Sequence, residues 1–277
     1  MIVEVIAVGT ELLLGQITNT NASHIGSTLA DHGLDAHYQQ VVGDNQARVA
    51  NSIATAIERS DAVIITGGIG PTRDDLTREG LCDATGREMV FDEDYAETLR
   101  EWWQQRGRDM PESNLRQAEH PAGAELLVNP KGTAPGLALE HDGTQIFCVP
   151  GVPQEMEFLL EHEVLPRLVA KSGGPAVVIS RMLRTWGQSE SLIGELLDDL
   201  YLGSANPSVA FLASGGEIKI RITAKSESRV AAEALIEPVE AEIRSRVGDW
   251  YFGTDDDTVH RVIFRLLRER RWTIGTA

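Results

Sequence analysis

From the N-terminus, apolar runs and polar breaks alternate regularly. Ile2–Val8 is apolar except for Glu4, Ala62-Val63-Ile64-Ile65 within Asp61–Thr66 is a second such run, and Leu34–Val42 reads as a further strand between them. Short, nearly continuous apolar runs predict strands buried on both faces. Helical patterns lie between them: Ala22–His32 ahead of Gly33, Gln46–Arg59 with Val49, Ile53 and Ile57 on one face, and Leu76–Thr85. Three turns of strand–helix alternation predict an α/β fold with a three-layer, mostly parallel sheet.

The pattern continues with a helix over Asp92–Arg106, whose apolar stripe is Tyr95, Leu99, Trp102 and Trp103, then a polar loop from Arg108 to Gly123. Short strands follow at Glu125–Val128, Leu137–Glu140 and Gln145–Val149, then a long helix over Gln154–Ala170 with Pro153 as its first residue. Lys171-Ser172-Gly173-Gly174-Pro175 is the clearest linker, which sets a first domain at 1–170. Beyond it the periods predict a smaller α+β domain over 176–253. Its elements are a strand at Ala176–Leu183, a helix at Ser189–Tyr201, a hairpin from Ser208–Leu212 and Glu217–Ala224, and a helix at Ser228–Val247 interrupted by Pro238. Residues 254–277 read as a capped helix, Val259–Arg270, and the start of a strand at Trp272 that leads toward a further domain.

Composition narrows the function. The chain has 277 residues, a net charge of −17, 42% apolar and 24% charged residues. That charge opposes nucleic acid and anionic membrane as partners. No apolar run reaches membrane-spanning length, and Met1–Val5 reads as a strand and not as a signal peptide. Cys82 and Cys148 are far apart without metal spacing, which fits core residues in a reducing, cytoplasmic setting.

The candidate chemistry gathers at strand ends. Thr66–Asp75 reads TGGIGPTRDD: a buried strand, three glycines in four positions, Pro71 and Thr72, then Asp74 and Asp75 before a helix. Gly67, Gly68 and Gly70 let the backbone turn sharply and present N–H groups to an anion. Either aspartate stands where an N-cap falls. Neither the P-loop nor the dinucleotide spacing occurs, so a plain strand-to-helix turn competes with a diphosphate site. Glu11, after Gly9 and Thr10, follows a buried strand, and Asp44, after Gly43, follows the Leu34–Val42 strand, so parallel pairing places all these acids on one sheet edge. Position alone does not separate a ligand role for Glu11 from a solvated loop acid, and Asp44 also reads as a helix cap. The Asn129–Gly136 turn, with Lys131, Gly132 and Thr133, reads equally as a connection or a phosphate contact. Pro150-Gly151 forms the next strand-end turn, and Glu155 reads as a capping acid.

Four strings in order, GTELLLGQITNTNA (9–22), TGGIGPTRDDLT (66–77), NPKGTAPG (129–136) and PGVPQEM (150–156), together with Asn114, Gln117 and Pro121, resemble the competence-damage-inducible CinA family. The resemblance implies a molybdopterin-binding-like first domain, a KH-like second domain, and in longer members a nicotinamide mononucleotide deamidase domain whose start resembles TIGTA. The serine motif expected next is absent here. The family further implies a cytoplasmic homodimer that hydrolyses ADP-ribose to AMP and ribose 5-phosphate with a divalent metal (Mg, Mn or Co), within pyridine nucleotide recycling. Carried over by motif, Asp44, Asp75, Glu11 and Asp74 are the catalytic acids, the first three also metal ligands. Gly9, Thr10, Thr66, Gly67, Gly68, Gly70, Pro71, Thr72, Asn114, Gln117, Lys131, Gly132, Thr133, Pro150 and Gly151 bind the nucleotide. Asn19 stands where relatives often carry Asp, and so makes a weaker metal ligand. Rival expectations are a molybdopterin adenylyltransferase and a nucleotide-binding scaffold without turnover.

Overall fold

The computed structural model describes residues 1–173, 177–203 and 206–275. Two compact units divide between residues 175 and 176. The first runs β1 (Ile2–Val8), α1 (Thr10–Leu13), α2 (Thr20–Asp31), β2 (Asp35–Val42), α3 (Gln46–Arg59), β3 (Ala62–Thr66), α4 (Thr77–Thr85), β4 (Met89–Phe91) and α5 (Glu93–Gln105). It continues with β5 (Glu119–Pro121), β6 (Glu125–Leu127), β7 (Gly136–His141), β8 (Thr144–Val149), α6 (Pro153–Leu159) and α7 (Leu165–Lys171).

The main sheet has the order β2-β1-β3-β8-β7-β6. Strands β2, β1, β3 and β8 are parallel, while β7 and β6 run antiparallel at one side. Alternation along each strand feeds two cores. Val3, Val5 and Ile64 pack with Ile25 and Leu29 of α2 and Met156 and Leu159 of α6. Ile6, Val63 and Ile65 face the other way, onto Val49 and Ile53 of α3 and Leu81 of α4. This is the three-layer α/β architecture.

Some local expectations shift. The Gly9–Gly15 turn contains a short helix, α1. The Arg108–Gly123 loop holds a 3-10 segment, Glu112–Ala118, and strand β5, which pairs with β4. The long helix predicted over Gln154–Ala170 is broken by a π turn at Leu160–Val164, because Pro166 lacks the N–H that a regular helix needs there.

The second unit contains β9 (Val177–Trp186), α8 (Glu190–Leu196), α9 (Asp198–Gly203), β10 (Ser208–Ser214), β11 (Glu217–Ser226), α10 (Arg229–Val247), β12 (Tyr251–Thr254) and α11 (Val259–Arg270). Its antiparallel sheet, β10-β11-β9-β12, packs Leu183, Ile220 and Ile222 against Ile236 and Ile243 of α10. The predicted Ser189–Tyr201 helix divides in two, Pro238 is accommodated inside α10, and β12 was not foreseen. Trp272–Gly275 form no strand. Gly174 and Pro175 of the predicted linker, Ala176 of the predicted strand, and Thr276 and Ala277 lie outside the described residues. Among the described residues no helix is long and apolar enough to cross a membrane. Cys82 and Cys148 are buried free thiols, and burial pushes the latter up to about 12.

Glu4, the one polar break in β1, is fully buried and faces α3. Its carboxylate accepts from Arg59 Nε (2.9 Å) and Nη2 (2.6 Å), Gln40 Nε2 (2.7 Å) and Ser60 Oγ (3.2 Å). Burial alone would raise its pKa, but these donors outweigh it and hold the group below the ordinary glutamate value of 4.5. Its stabilising contribution is therefore complete above that value and is lost as pH falls through the lower, folded value. Glu4→Gln is expected to lower the melting temperature at neutral pH and to flatten its decline between about pH 5 and pH 3. Parallel melting curves for the two proteins across that range would refute the assignment.

Candidate functional site

The carboxyl ends of β1, β2, β3 and β8 open on one edge, where a cleft of about 290 Å³ is lined by Glu11, Asp44, Gly67–Gly70, Asp74, Asp75 and Pro150–Val152, with Val8 and Gly9 at its base. The acids foreseen from separate loops thus meet beside the glycine turn.

The turn is built around close approaches. A Cβ on Gly67 (φ +98°) would lie 2.4 Å from Val8 O, and one on Gly68 (φ +69°) would lie 2.2 Å from Thr77 Oγ1. Its carbonyls face inward. Gly67 O accepts from Thr77 Oγ1 (2.8 Å), Gly68 O from Thr77 N (2.9 Å), Gly70 O from Arg78 Nη1 (3.1 Å), and Ile69 O from Arg78 Nη2. Arg78 is only 2% exposed, and its Nε has no partner among the described residues. Burial lowers its pKa while Glu79 and Asp75 oppose the shift. Sequence reasoning missed Arg78. The signal available was a cation in the first turn of the helix that directly follows the glycine turn.

With the carbonyls held inside, the N–H groups of Gly68, Ile69 and Gly70 have no hydrogen-bond partner among the described residues. The expectation for Gly67 is corrected: its N–H donates to Val149 O (3.0 Å), continuing the sheet. Three other backbone donors are likewise engaged: Gly9 N with Val42 O (2.9 Å), Thr10 N with Asp44 Oδ2 (2.8 Å), and Thr72 N with Asp75 Oδ2 (2.8 Å).

The acids are braced. Asp44 does not cap α3, whose N-cap is Asn45. It reaches across to the first turn of α1, and Thr10 Oγ1 accepts from Asp44 N (3.1 Å). Neither Asp74 nor Asp75 caps α4, whose N-cap is Leu76. Asp75 closes the preceding turn, accepting from Thr72 N and Oγ1 with its carboxylate packed on Gly70. Arg116 pins the same turn through Thr72 O and Asp75 O (3.2 Å) and pairs with Glu79. The Thr72 hydroxyl and a backbone N–H hold Asp74 below the ordinary aspartate range, with Arg116 adding to the effect. That hydroxyl has one proton, so it serves Asp74 or Asp75 at any instant. Glu11 folds over Gly9, where a Cβ would lie 2.6 Å from Glu11 Oε1.

Other expected ligand residues lie elsewhere. Thr66 is 3% exposed; its hydroxyl donates to Pro150 O (3.1 Å) and accepts from Asn21 Nδ2 (3.0 Å), so it braces the edge. Asn21, not foreseen, also donates to Gly151 O (2.9 Å). Asn114 and Gln117 are buried and line no part of the cleft, because the 3-10 segment turns them into the protein. Lys131, Gly132 and Thr133 also stand outside it. Asn129 organises their turn, accepting from Lys131 N (3.0 Å) and donating to Ala134 O (2.8 Å) and Glu155 Oε2 (2.6 Å). Burial raises the Glu155 pKa, against the opposing Asn129 bond. Tyr95 donates to Thr133 O (3.0 Å).

No group of three His, Cys, Asp or Glu among the described residues is arranged as a metal cage. Asp44 and Asp75 line the same cleft as the unpaired amides, and each leaves one carboxylate oxygen without a hydrogen-bond partner among the described residues. That donor set fits a divalent ion of the kind held by one or two carboxylates and substrate phosphates, and it does not fit a resident metal.

The signature described as "Probable molybdopterin binding domain" matches residues 4–170, and "Damage-inducible protein CinA KH domain" matches 180–253. A "Putative competence-damage inducible protein" from Symbiobacterium thermophilum is 43% identical over the whole of this chain and 66% of its own length. A "CinA-like protein" from Nostoc sp. is 42% identical over the whole chain and 65% of its own. This chain therefore spans about two thirds of these curated relatives. The crystal structure of a "protein CinA with unknown function" from Thermoplasma acidophilum superposes with a TM-score of 0.54 at 38% identity, covering 58% of this chain and 94% of that one.

Gly68→Ala combines a left-handed backbone with a clash, whereas Gly86→Ala (φ +65°) meets no atom within 4 Å. Urea denaturation is expected to show Gly68→Ala costing at least about 1 kcal/mol more than Gly86→Ala. Equal costs would mean the turn is not packed as described.

Proposed function

Since this chain belongs to the CinA family, and its first unit carries unpaired amides and carboxylates in one cleft, we propose that it hydrolyses a nucleoside diphosphate sugar, ADP-ribose first among them, to AMP and ribose 5-phosphate. The observation that carries the reading is the juxtaposition of the Gly68–Gly70 amides with Asp44 and Asp75 in a single cleft. Amides alone would bind a phosphate; acids beside them call for a cation between carboxylate and phosphate.

In this reading the amides of Gly68, Ile69 and Gly70 hold diphosphate oxygens, preorganised by Thr77 and Arg78 from behind. The free oxygens of Asp44 and Asp75 would hold Mg²⁺, Mn²⁺ or Co²⁺. Such an ion, when bound, supplies charge neutralisation and a more acidic water. Asp74 titrates below the ordinary value of 3.8 and is a carboxylate throughout the neutral range. That suits orienting a water toward phosphorus better than removing its proton, since an efficient general base titrates near the working pH. The new P–O bond forms from water as the bond to the bridging oxygen breaks; that oxygen leaves with the departing phosphate, and the proton the water gives up passes to that phosphate or to solvent. Lys131 and Thr133, outside the cleft, have no part in this step.

Incubating the protein with nucleotide diphosphates and each metal, and following AMP, tests the reading. Asp75→Asn keeps an acceptor for the Thr72 N–H but loses the charge. It is expected to lower kcat/KM for ADP-ribose by about 10²–10³-fold with little change in melting temperature. Wild-type turnover by that variant would remove Asp75 from the mechanism. Adenylyl transfer from ATP to a pterin, without AMP release from ADP-ribose, would favour the rival suggested by the molybdopterin-binding signature. Tight binding without either product would favour a scaffold.

A further inference from the structure

Beside the cleft lies a second, smaller cavity of about 140 Å³ that shares Val8, Glu11 and Gly151 with it. A whole nucleotide does not fit such a volume, since pockets for ligands of that size run to about 300 Å³ or more. One fragment of a larger ligand does, and the shared wall makes the two cavities parts of one path.

The lining selects the fragment. It contains no Lys, Arg or His, so nothing there offsets the charge of another phosphate. It contains no Phe, Tyr or Trp, so no face is offered for a base to stack on. What it offers is an apolar floor, including Leu12, Ile17 and Pro153, with hydroxyls and amides around it. Asn19 uses its Oδ1 to accept Ala22 N (3.1 Å), leaving its NH₂ as a donor. Asn21 uses its NH₂ on Thr66 and Gly151, leaving its Oδ1 as an acceptor. The Glu11 carboxylate stands at the shared wall, and carboxylates accept paired bonds from a vicinal diol.

Neutral donors and acceptors over an apolar floor, with one carboxylate, match a pentose ring: hydroxyls at its edge and C–H groups on its face. Resting on the diphosphate reading of the cleft, we propose that this cavity is a pentose pocket. It holds the sugar at one end of the nucleoside diphosphate sugar while the Gly68–Gly70 amides hold the diphosphate. Glu11 is then a sugar ligand and not a metal ligand.

Calorimetric titration of the full chain with ADP-ribose, ADP, ADP-glucose and inorganic pyrophosphate, each with Mg²⁺, tests this alongside AMP release. ADP-ribose is expected to bind at least about tenfold tighter than ADP, and a hexose in place of the pentose to lose a similar factor. Ile17→Trp, at an exposed position on the cavity wall, should weaken ADP-ribose by about tenfold or more while leaving pyrophosphate within about twofold. Asn19→Ser keeps a capping oxygen for α2 but removes the amide donor, and should weaken ADP-ribose in the same selective way. Equal binding of ADP and ADP-ribose, unchanged binding by both variants, or parallel loss of pyrophosphate would each overturn the pocket. AMP release with any of those outcomes leaves the hydrolase reading standing without the pocket. Selective weakening without AMP release leaves the pocket standing and removes the hydrolase reading. No binding of ADP-ribose by the wild type removes both.

Discussion

Two consecutive residues of α4, Thr77 and Arg78, draw the four carbonyls of the glycine turn into the protein, and everything at the sheet edge depends on that. A peptide unit whose carbonyl points inward points its N–H outward. Three successive units are free to do so because Gly67 and Gly68 adopt left-handed conformations with no Cβ to strike Val8 or Thr77. Arg78 does more than donate two bonds. Its buried cation lies behind the turn, so an anion in front meets both oriented dipoles and positive charge. A buried guanidinium costs desolvation, and its partners here are carbonyls rather than a carboxylate. That arrangement is hard to account for by stability alone and reasonable if the turn must hold one shape for a ligand.

The carboxylates follow from the same constraint. Asp75 packs on Gly70 and ties back Thr72, so the acid-bearing loop and the amide-bearing turn form one rigid piece, with Arg116 clamping it from the 3-10 segment. Asp44 is fixed from a different loop by its exchange with Thr10. Each acid thus uses one oxygen to hold its place, and its other oxygen has no hydrogen-bond partner among the described residues. Two half-free carboxylates are too few for a resident metal and sufficient for one arriving with a diphosphate. The smaller cavity extends the same logic: its amides are half engaged in holding the edge together and half available to a sugar.

Much of the fold was legible in the chain because it is written locally. Strand and helix periods, the glycine turn and the order of acids behind parallel strands placed Glu11, Asp44, Asp74 and Asp75 on one edge. The two-sided burial of β1 and β3 followed from apolar runs broken only by Glu4. The failures were also physical. Asp44 looked like a cap for the helix beside it and caps one that is 34 residues away in sequence. Asn114 and Gln117 looked like ligands, and a 3-10 turn faces them inward. Trp102 and Trp103 extended the apolar stripe of Tyr95 and Leu99, of which only Leu99 is fully buried.

What the sequence by itself determined is the layered α/β unit, the α+β unit that follows it in the chain, and the edge on which the chemistry gathers. These depend on φ and ψ preferences and on which side of each element is apolar, and both repeat over a few residues. Which amides remain free was decided only in three dimensions. Gly67 and Gly68 are neighbours with the same local permissions, yet one N–H is taken by Val149 of an adjacent strand and the next is not. Thr66 is engaged by a carbonyl 84 residues further along. Hydrogen-bond availability is a property of neighbours in space, and strand order sets those neighbours.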